Sequence, residues 1–362
     1  MGVSLLARMF RGRGQEPPAQ PVVVGPHVRI VTDSTACLPP SPARVPGEPE
    51  GFGLPEGIGL SDATVAAAAA EASDATAIAA VTAVPGVAVV AGVTVVPLHV
   101  IRSQPSSQAG GPAQVDTWRE GVDIGPDQVA QFIARGDHLT TSQPASQDFL
   151  NTYSDLARSG ARAIVSVHLS GALSGTVESA RHAAQRASIP VLVVDSRSAA
   201  MGLGFAVQAA AQAAAQGLPA VDVAARASQL AASSRSLFLV DSLEHLRRGG
   251  RLSLTAATLG AALGVKPLLT VDEHGGIAQA ARVRTRSLAV TRLIDLSARQ
   301  ASRMLEPVVA VHHMGAPDRA AEVCARFEAL TGIAPLSSPL SAALGVHTGP
   351  GTLAIVVADQ AS

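Results

Sequence analysis

The segment His168-Leu-Ser-Gly-Ala-Leu-Ser-Gly-Thr176 gathers two serines, two glycines and a threonine directly behind an apolar run, Ala163–Val167. A helical pattern, Val177-Glu-Ser-Ala-Arg-His-Ala-Ala, follows at once. A strand that ends on hydroxyls ahead of a helix collects O–H groups and unpaired backbone N–H groups at one place, which suits a small anion. The two glycines permit close backbone approach, as they also would in an ordinary turn. The spacing is not that of a phosphate loop and no lysine stands nearby, which argues against a nucleotide. A carboxylate is therefore the anion to test first.

Three further polar clusters punctuate the apolar framework. Thr32-Asp33-Ser34 closes an apolar strand and reads either as a turn or cap or as part of a site. Thr140-Thr141-Ser142-Gln143-Pro144-Ala145-Ser146 reads as a helix start, whose hydroxyls could equally donate to an anion. Gly345-Val-His347-Thr348-Gly349-Pro350-Gly351 offers an imidazole that is either a satisfied core histidine or a ligand contact. The same residue types allow a serine acyl hydrolase, with Ser170 or Ser174 as nucleophile, His347 as base and Asp33 or Asp195 as orienter. No Gly-x-Ser-x-Gly elbow frames either serine, which weighs against it. Arg247-Arg-Gly-Gly-Arg251 and Arg282-Val-Arg284-Thr-Arg286 are basic clusters of the kind that usually form solvated faces. His312-His313 lacks zinc-ligand spacing, and Gly202-Leu-Gly204 does not complete a dinucleotide fingerprint.

The elements that must position these groups alternate between strand and helix. Strand patterns at Val28–Asp33, Val93–Val100, Ala163–Val167 and Val191–Asp195, with helical patterns such as Gly121–Gly136, helical after its Gly125-Pro126-Asp127 start, between them, predict a parallel layered α/β domain. In such sheets ligands sit at the carboxyl ends of the strands, where Thr32-Asp33-Ser34, Ser170 and Asp195-Ser196 fall. From Leu237 onward, strand patterns at Leu237–Val240, Val265–Val271, Gly276–Val283, Val308–His312 and Leu353–Val357 predict a second, mixed-sheet α/β domain. Its helices are predicted at Leu288–Leu305 and Arg319–Thr331. With 362 residues, two domains are expected. We divide them as 27–205 and 206–362, with 1–26 a disordered tail and 47–91 an insertion.

Composition narrows the function. The chain is 47% hydrophobic but only 2% aromatic, so its cores are aliphatic. A net charge of −1 gives no electrostatic case for nucleic acid or an anionic membrane surface. Residues 75–101 carry no charge, but Pro85-Gly86, Gly92 and Pro97 interrupt them, so core packing is expected and no stable membrane span. Met1–Gly14 is too short and too charged for a secretory leader. Cys37 and Cys324 read as free thiols of a cytoplasmic protein. Ser103–Pro112 reads as a mobile loop.

Taken in order, these segments resemble the DegV family of bacterial fatty-acid-binding proteins. The resemblance rests on Val28-Arg-Ile-Val-Thr-Asp-Ser-Thr-Ala-Cys-Leu-Pro, Val93-Thr-Val-Val-Pro-Leu, Thr141-Ser-Gln-Pro, Leu173-Ser-Gly-Thr-Val-Glu-Ser-Ala and Val194-Asp-Ser. Asp241-Ser-Leu-Glu-His-Leu-Arg-Arg-Gly-Gly-Arg-Leu-Ser, Lys266-Pro-Leu-Leu, Val283-Arg-Thr-Arg and His347-Thr-Gly-Pro-Gly complete it. It implies a two-domain DegV-like fold with one long-chain fatty acid buried between the domains and no other cofactor. It implies that Thr141 and Ser170 hold the carboxylate, with Ser142, Gly171 and His347 at the polar end. It further implies a non-catalytic protein that presents the carboxylate to a fatty acid kinase subunit, whose acyl phosphate product feeds phospholipid synthesis. Arg251, Arg284 and Arg286 would then serve the domain interface or kinase docking. The chain departs from the family pattern in the long span Gly47–Ala91, in Gly171 where a second serine is usual, and in the additional Met1–Pro26.

Overall fold

The computed structural model describes residues 27–38, 92–104, 114–252 and 266–361. The expected tail (1–26), the expected insertion (47–91) and most of the expected loop 103–112 lie outside the described residues. Ser103 and Gln104 are strand residues, because the ladder of the third strand runs to Gln104 opposite Gln114.

Val28–Asp33 (β1) leads into a single 3-10 turn, Ser34–Ala36, capped by Asp33. Val93–Val96 (β2) pairs parallel to β1. The expected single strand Val93–Val100 is two: it breaks at Pro97-Leu98, and His99–Gln104 (β3) enters a different sheet. Proline has no N–H with which to continue a ladder. At Leu98 the N–H turns to Ser34 Oγ at 3.0 Å and the carbonyl accepts from Glu120 N–H at 2.8 Å. Gln114–Arg119 (β4), helix Pro126–Ala134 (α1) and His138–Ser142 (β5) follow. The antiparallel order is β4-β3-β5. Pro126 opens α1 with Gly125 at its cap position, as the Gly125-Pro126-Asp127 start predicts, and just before it Gly121 N–H closes a turn on Ile124 O at 2.9 Å.

Helix Ser146–Arg158 (α2), Ala163–His168 (β6), helix Thr176–Ala184 (α3) and Val191–Asp195 (β7) complete a parallel sheet ordered β2-β1-β6-β7. The helix start expected within Thr140–Ser146 falls at its last residue, past the hydroxyls of Thr140, Thr141 and Ser142. Pairing of β3 with β5 extends to Ser142, so those hydroxyls are strand residues, and Asp148 Oδ2 instead accepts Ala145 N–H at 2.9 Å. Helices Met201–Ala215 (α4) and Ala220–Ser233 (α5) come next. Then follow Arg235–Leu239 (β8), Glu244–Arg248 (α6), Lys266–Val271 (β9), Ile277–Val283 (β10), Arg286–Ala301 (α7) and Pro307–His313 (β11). Pro317–Thr331 (α8), Leu336–Pro339 (β12), Ala342–Thr348 (α9) and Leu353–Asp359 (β13) finish the chain. The mixed sheet is ordered β10-β9-β8-β13-β11-β12.

Burial follows from this layering. The face of the parallel sheet carrying Val31 and Ile164 packs on α2 and α3 through Phe149, Tyr153 and Ala180. Its other face packs on α4 and α5, which also meet Val308, Ala310 and Val356 of the mixed sheet. A helix between two sheets has no solvent face, and α4 is buried at thirteen of its fifteen positions. Its alanines let both sheets approach it. The outer face of the mixed sheet packs on α7 and α8 through Leu293, Ile294 and Phe327. The three-stranded sheet packs with α1 and α9 around Val100, Val129 and Val346. No helix among the described residues is long and apolar enough to cross a membrane.

His312 on β11 ties these layers together and gives stability a pH dependence. Its Nε2 accepts the Met201 N–H at the start of α4 at 3.2 Å, and Nδ1 faces Ser338 Oγ at 3.1 Å. Burial pulls its pKa down from 6.5 to about 4. The unfolded chain therefore takes up a proton near pH 6.5 that the folded protein refuses until about pH 4. Stability is full above 6.5 and falls as the pH drops toward 4, by up to about 3 kcal/mol. Urea denaturation at pH 7 and pH 5 should show this loss, and His312→Gln should remove the share of it that His312 contributes.

Candidate functional site

The site lies where α6 and α9 meet β5. Thr141 Oγ1 on β5 and His347 Nε2 on α9 are 2.7 Å apart. Burial first, then Arg251 and His245, pull the His347 pKa down to about 4, so the ring is neutral at pH 7. In its Nε2–H tautomer the ring donates to Thr141 Oγ1 and leaves the threonine proton for an anion. Two glycines make this packing feasible. A Cβ on Gly249, just past α6, would lie 2.4 Å from His347 Nδ1. A Cβ on Gly349, just past α9, would lie 2.5 Å from the His245 ring, and its φ of +78° also favours glycine. Each helix thus ends on a glycine that seats the histidine of the other.

Thr141, His347 and Arg251 stand in the walls of two adjoining cavities. One, of about 60 Å³, is closed mainly by Leu98, Leu169, Leu173, Leu246, Ile277 and Leu344. The other, of about 150 Å³, is lined by His138, Thr140, His245 and Arg248 among others. Arg251 is held by Nε to Leu173 O at 3.0 Å and by Nη1 to Gly249 O. A hydroxyl, an imidazole and a guanidinium at the boundary between an aliphatic slot and a polar chamber suit an amphipathic acid, with its tail on one side and its head between.

The remaining candidate residues lie elsewhere. Ser170 is fully buried, and its hydroxyl donates to Gly275 O at 2.8 Å in the turn between β9 and β10. A hydroxyl has one proton, so in this conformation Ser170 has none for a ligand. Gly171 N–H bonds Asp195 Oδ1 at 3.2 Å. A Cβ at Gly171 would meet Asp195 Oδ2 at 2.9 Å, so glycine replaces serine where a carboxylate has taken the space. Ser142 ends β5 opposite His99. Ser170, Gly171 and Ser142 are not wall residues of either cavity. Arg286 is committed to Asp241 and to Gly351 O, while Arg284 is exposed at the end of the β10 hairpin.

The hydrolase arrangement is not assembled. Ser174 Oγ bonds Thr176 Oγ1 at 2.9 Å, His347 bonds Thr141, and Asp33 bonds His168. Among the described residues no cluster fit to hold a metal ion is present. Two residues at the site went unassigned in the sequence. His245 sits in a charged run, Glu244-His-Leu-Arg-Arg248, that reads as a solvated face, and Glu120, buried beside α9, carries no local pattern that marks it.

α4 and α5 lie between a parallel and a mixed sheet, and a polar site stands beside an aliphatic slot: the fold is of the mixed α/β class with two separate sheets. Residues 85–360 match the model of the family described as "Uncharacterised protein, DegV family". The chain belongs to the DegV family. It is 43% identical over 244 residues to a DegV domain-containing protein of Streptomyces coelicolor, covering 67% of this chain and 86% of the relative. It is 32% identical to Protein DegV of Bacillus subtilis, covering 66% and 86%. A DegV family protein from Thermus thermophilus, described for its fatty acid binding, superposes with a TM-score of 0.67 at 29% identity, covering 92% of this chain and 99% of that one. The Bacillus subtilis DegV crystal structure, described as a fatty acid binding protein, gives 0.68 at 25% identity with the same coverage.

Proposed function

We propose that this protein binds one long-chain fatty acid, with its tail entering the aliphatic slot and its carboxylate at Thr141 and His347. The observation that carries the reading is the placement of Thr141, His347 and Arg251 in both cavity walls. Thr141 donates to the carboxylate, and Arg251 supplies the opposite charge that a half-buried acid needs. Ser170 joins the head-group set only by exchanging its bond to Gly275 O for a carboxylate oxygen. Fatty-acid binding in the two solved DegV structures supports the tail half of this reading.

In this proposal the ligand lies between an N-terminal domain (27–205) and a C-terminal domain (206–362), with α4 crossing the boundary. The protein acts in the cytoplasm without turnover of its own. It presents the carboxylate, through the polar chamber, to a fatty acid kinase subunit that docks near Arg284. Mass spectrometry of lipid extracted from the purified protein is expected to return a fatty acid. Thr141→Val is expected to weaken fatty acid binding about tenfold while changing binding of the methyl ester little. An equal loss for acid and ester would remove Thr141 from the head-group site.

A further inference from the structure

Glu120 takes no part in the head-group reading, yet it is built into its foundation. It directly follows β4, with 5% of its surface exposed. One carboxylate oxygen, Oε2, accepts the Ser34 hydroxyl, and the other, Oε1, accepts the Ala343 N–H of α9 at 2.8 Å. Ser34 Oγ in turn accepts Leu98 N–H at 3.0 Å. One buried side chain therefore ties the turn after β1, the start of β3 and the first turn of α9. Among the described residues, the ionisable groups that act on it are Asp33 on β1 and Cys37, and neither supplies a positive charge. A buried carboxylate without a cation is costly, and an apolar side chain would avoid that cost.

Capping α9 does not explain the cost, because the helix has its own cap: Ser341 Oγ accepts Leu344 N–H at 3.2 Å. The three-stranded sheet explains it better. Arg119, next to Glu120, pairs with His99, and Thr141 pairs with Val100, so one strand, β3, fixes both neighbours. The sheet thus offers two attachment points to α9. Glu120 holds Ala343, and Thr141 meets His347 one helical turn later. Four residues of helix rise about 6 Å.

We propose that Glu120 is a positioning residue of the head-group site, seating α9 on the three-stranded sheet so that the His347 ring reaches Thr141. The functional consequence rests on the fatty-acid reading; the structural one does not.

The test uses the full chain and two independent measurements. Nitrogen-15 NMR of the His347 ring without ligand reads its tautomer and its hydrogen bond to Thr141. Glu120→Ala is expected to shift those ring signals, whereas Thr285→Ala, which removes the cap of α7 well away from Glu120, leaves them in place. The ratio of palmitate to methyl palmitate affinity is expected to fall about tenfold in Glu120→Ala. The double variant Glu120→Ala with His347→Ala should fall no further than His347→Ala alone, since the two act as one unit. Should Glu120→Ala not fold, Glu120→Gln keeps an acceptor for Ala343 but strips Ser34 of its carboxylate partner, and should move the ring signals in the same direction by less. A lower melting temperature with unchanged ring signals, in either variant, overturns the proposal. If the wild-type protein fails to prefer acid over ester, the fatty-acid reading falls, and the ring signals still decide Glu120.

Discussion

Affinity for saturated fatty acids is expected to fall about fourfold with each methylene removed, so that shortening the chain from about sixteen carbons to about ten costs about 5 kcal/mol, or three to four orders of magnitude. The size of the effect follows from which term dominates. A tail of about fourteen methylenes contributes roughly 11 kcal/mol of gross transfer free energy. Association and ordering consume about 4 kcal/mol or more. Each charge-assisted hydrogen bond returns about 1.5–3 kcal/mol before the desolvation of the acid is subtracted. Head-group contacts therefore orient the ligand while the tail retains it. The slot seen here, about 60 Å³, is small beside the roughly 300 Å³ at which ligand pockets begin. Admitting a tail separates the leucines that close it, Leu173 and Leu344 being only half-buried. That repacking lowers every affinity in the series alike and leaves the slope with chain length intact. Displacement of a fluorescent fatty acid by a graded series reads this slope directly. A flat series would place the tail outside the slot.

Where one physical signal dominated, the sequence was legible. Buried parallel strands of β-branched residues announce themselves, and β1, β6 and β7 stand where those runs end in polar residues. The mixed sheet was equally plain: the strand patterns from Val265 to Val357 match β9, β10, β11 and β13 to within two residues. The break at Pro97 was hidden because Val93–Val100 is apolar on both sides of it, and a change of sheet leaves no mark in hydrophobicity. Nor were β4 and β5 announced, since Gln114–Arg119 is largely exposed and two-residue periodicity needs one buried face. At the site, Thr141 and His347 were legible as polar residues in apolar company, and the structure brings them together across more than two hundred residues. The environment of Ser170 was not legible. Its partner is a backbone carbonyl from a turn about a hundred residues away, and no side-chain pattern encodes that.

Asp33→Ala is expected to cost about 3–5 kcal/mol of stability, the second largest effect, and to lower the melting temperature by roughly 10 °C. The carboxylate is fully buried and accepts from four donors. Thr35 N–H at 3.0 Å and Thr35 Oγ1 at 2.5 Å reach Oδ1, while Leu169 N–H and His168 Nδ1, both at 3.0 Å, reach Oδ2. The chain continues inward, with His168 Nε2 2.7 Å from Ser166 Oγ and Ser166 Oγ 2.9 Å from Tyr153 OH. Alanine leaves four buried donors unpaired, each at a desolvation cost that water cannot relieve. Asparagine should do little better, because its amide turns a donor toward either Thr35 or the pair His168 and Leu169. Similar losses for Asp33→Ala and Asp33→Asn in urea denaturation are thus the signature of a structural acceptor. An orienting aspartate of a catalytic triad would give near wild-type stability in both, and a loss under about 1 kcal/mol would refute the structural role. The consequence reaches the slot through Leu169, whose N–H Asp33 holds and whose side chain forms part of the slot wall. Weaker fatty acid binding in Asp33→Ala should therefore affect acid and methyl ester equally, in contrast to Thr141→Val, because it is the wall and not the head-group contact that loosens.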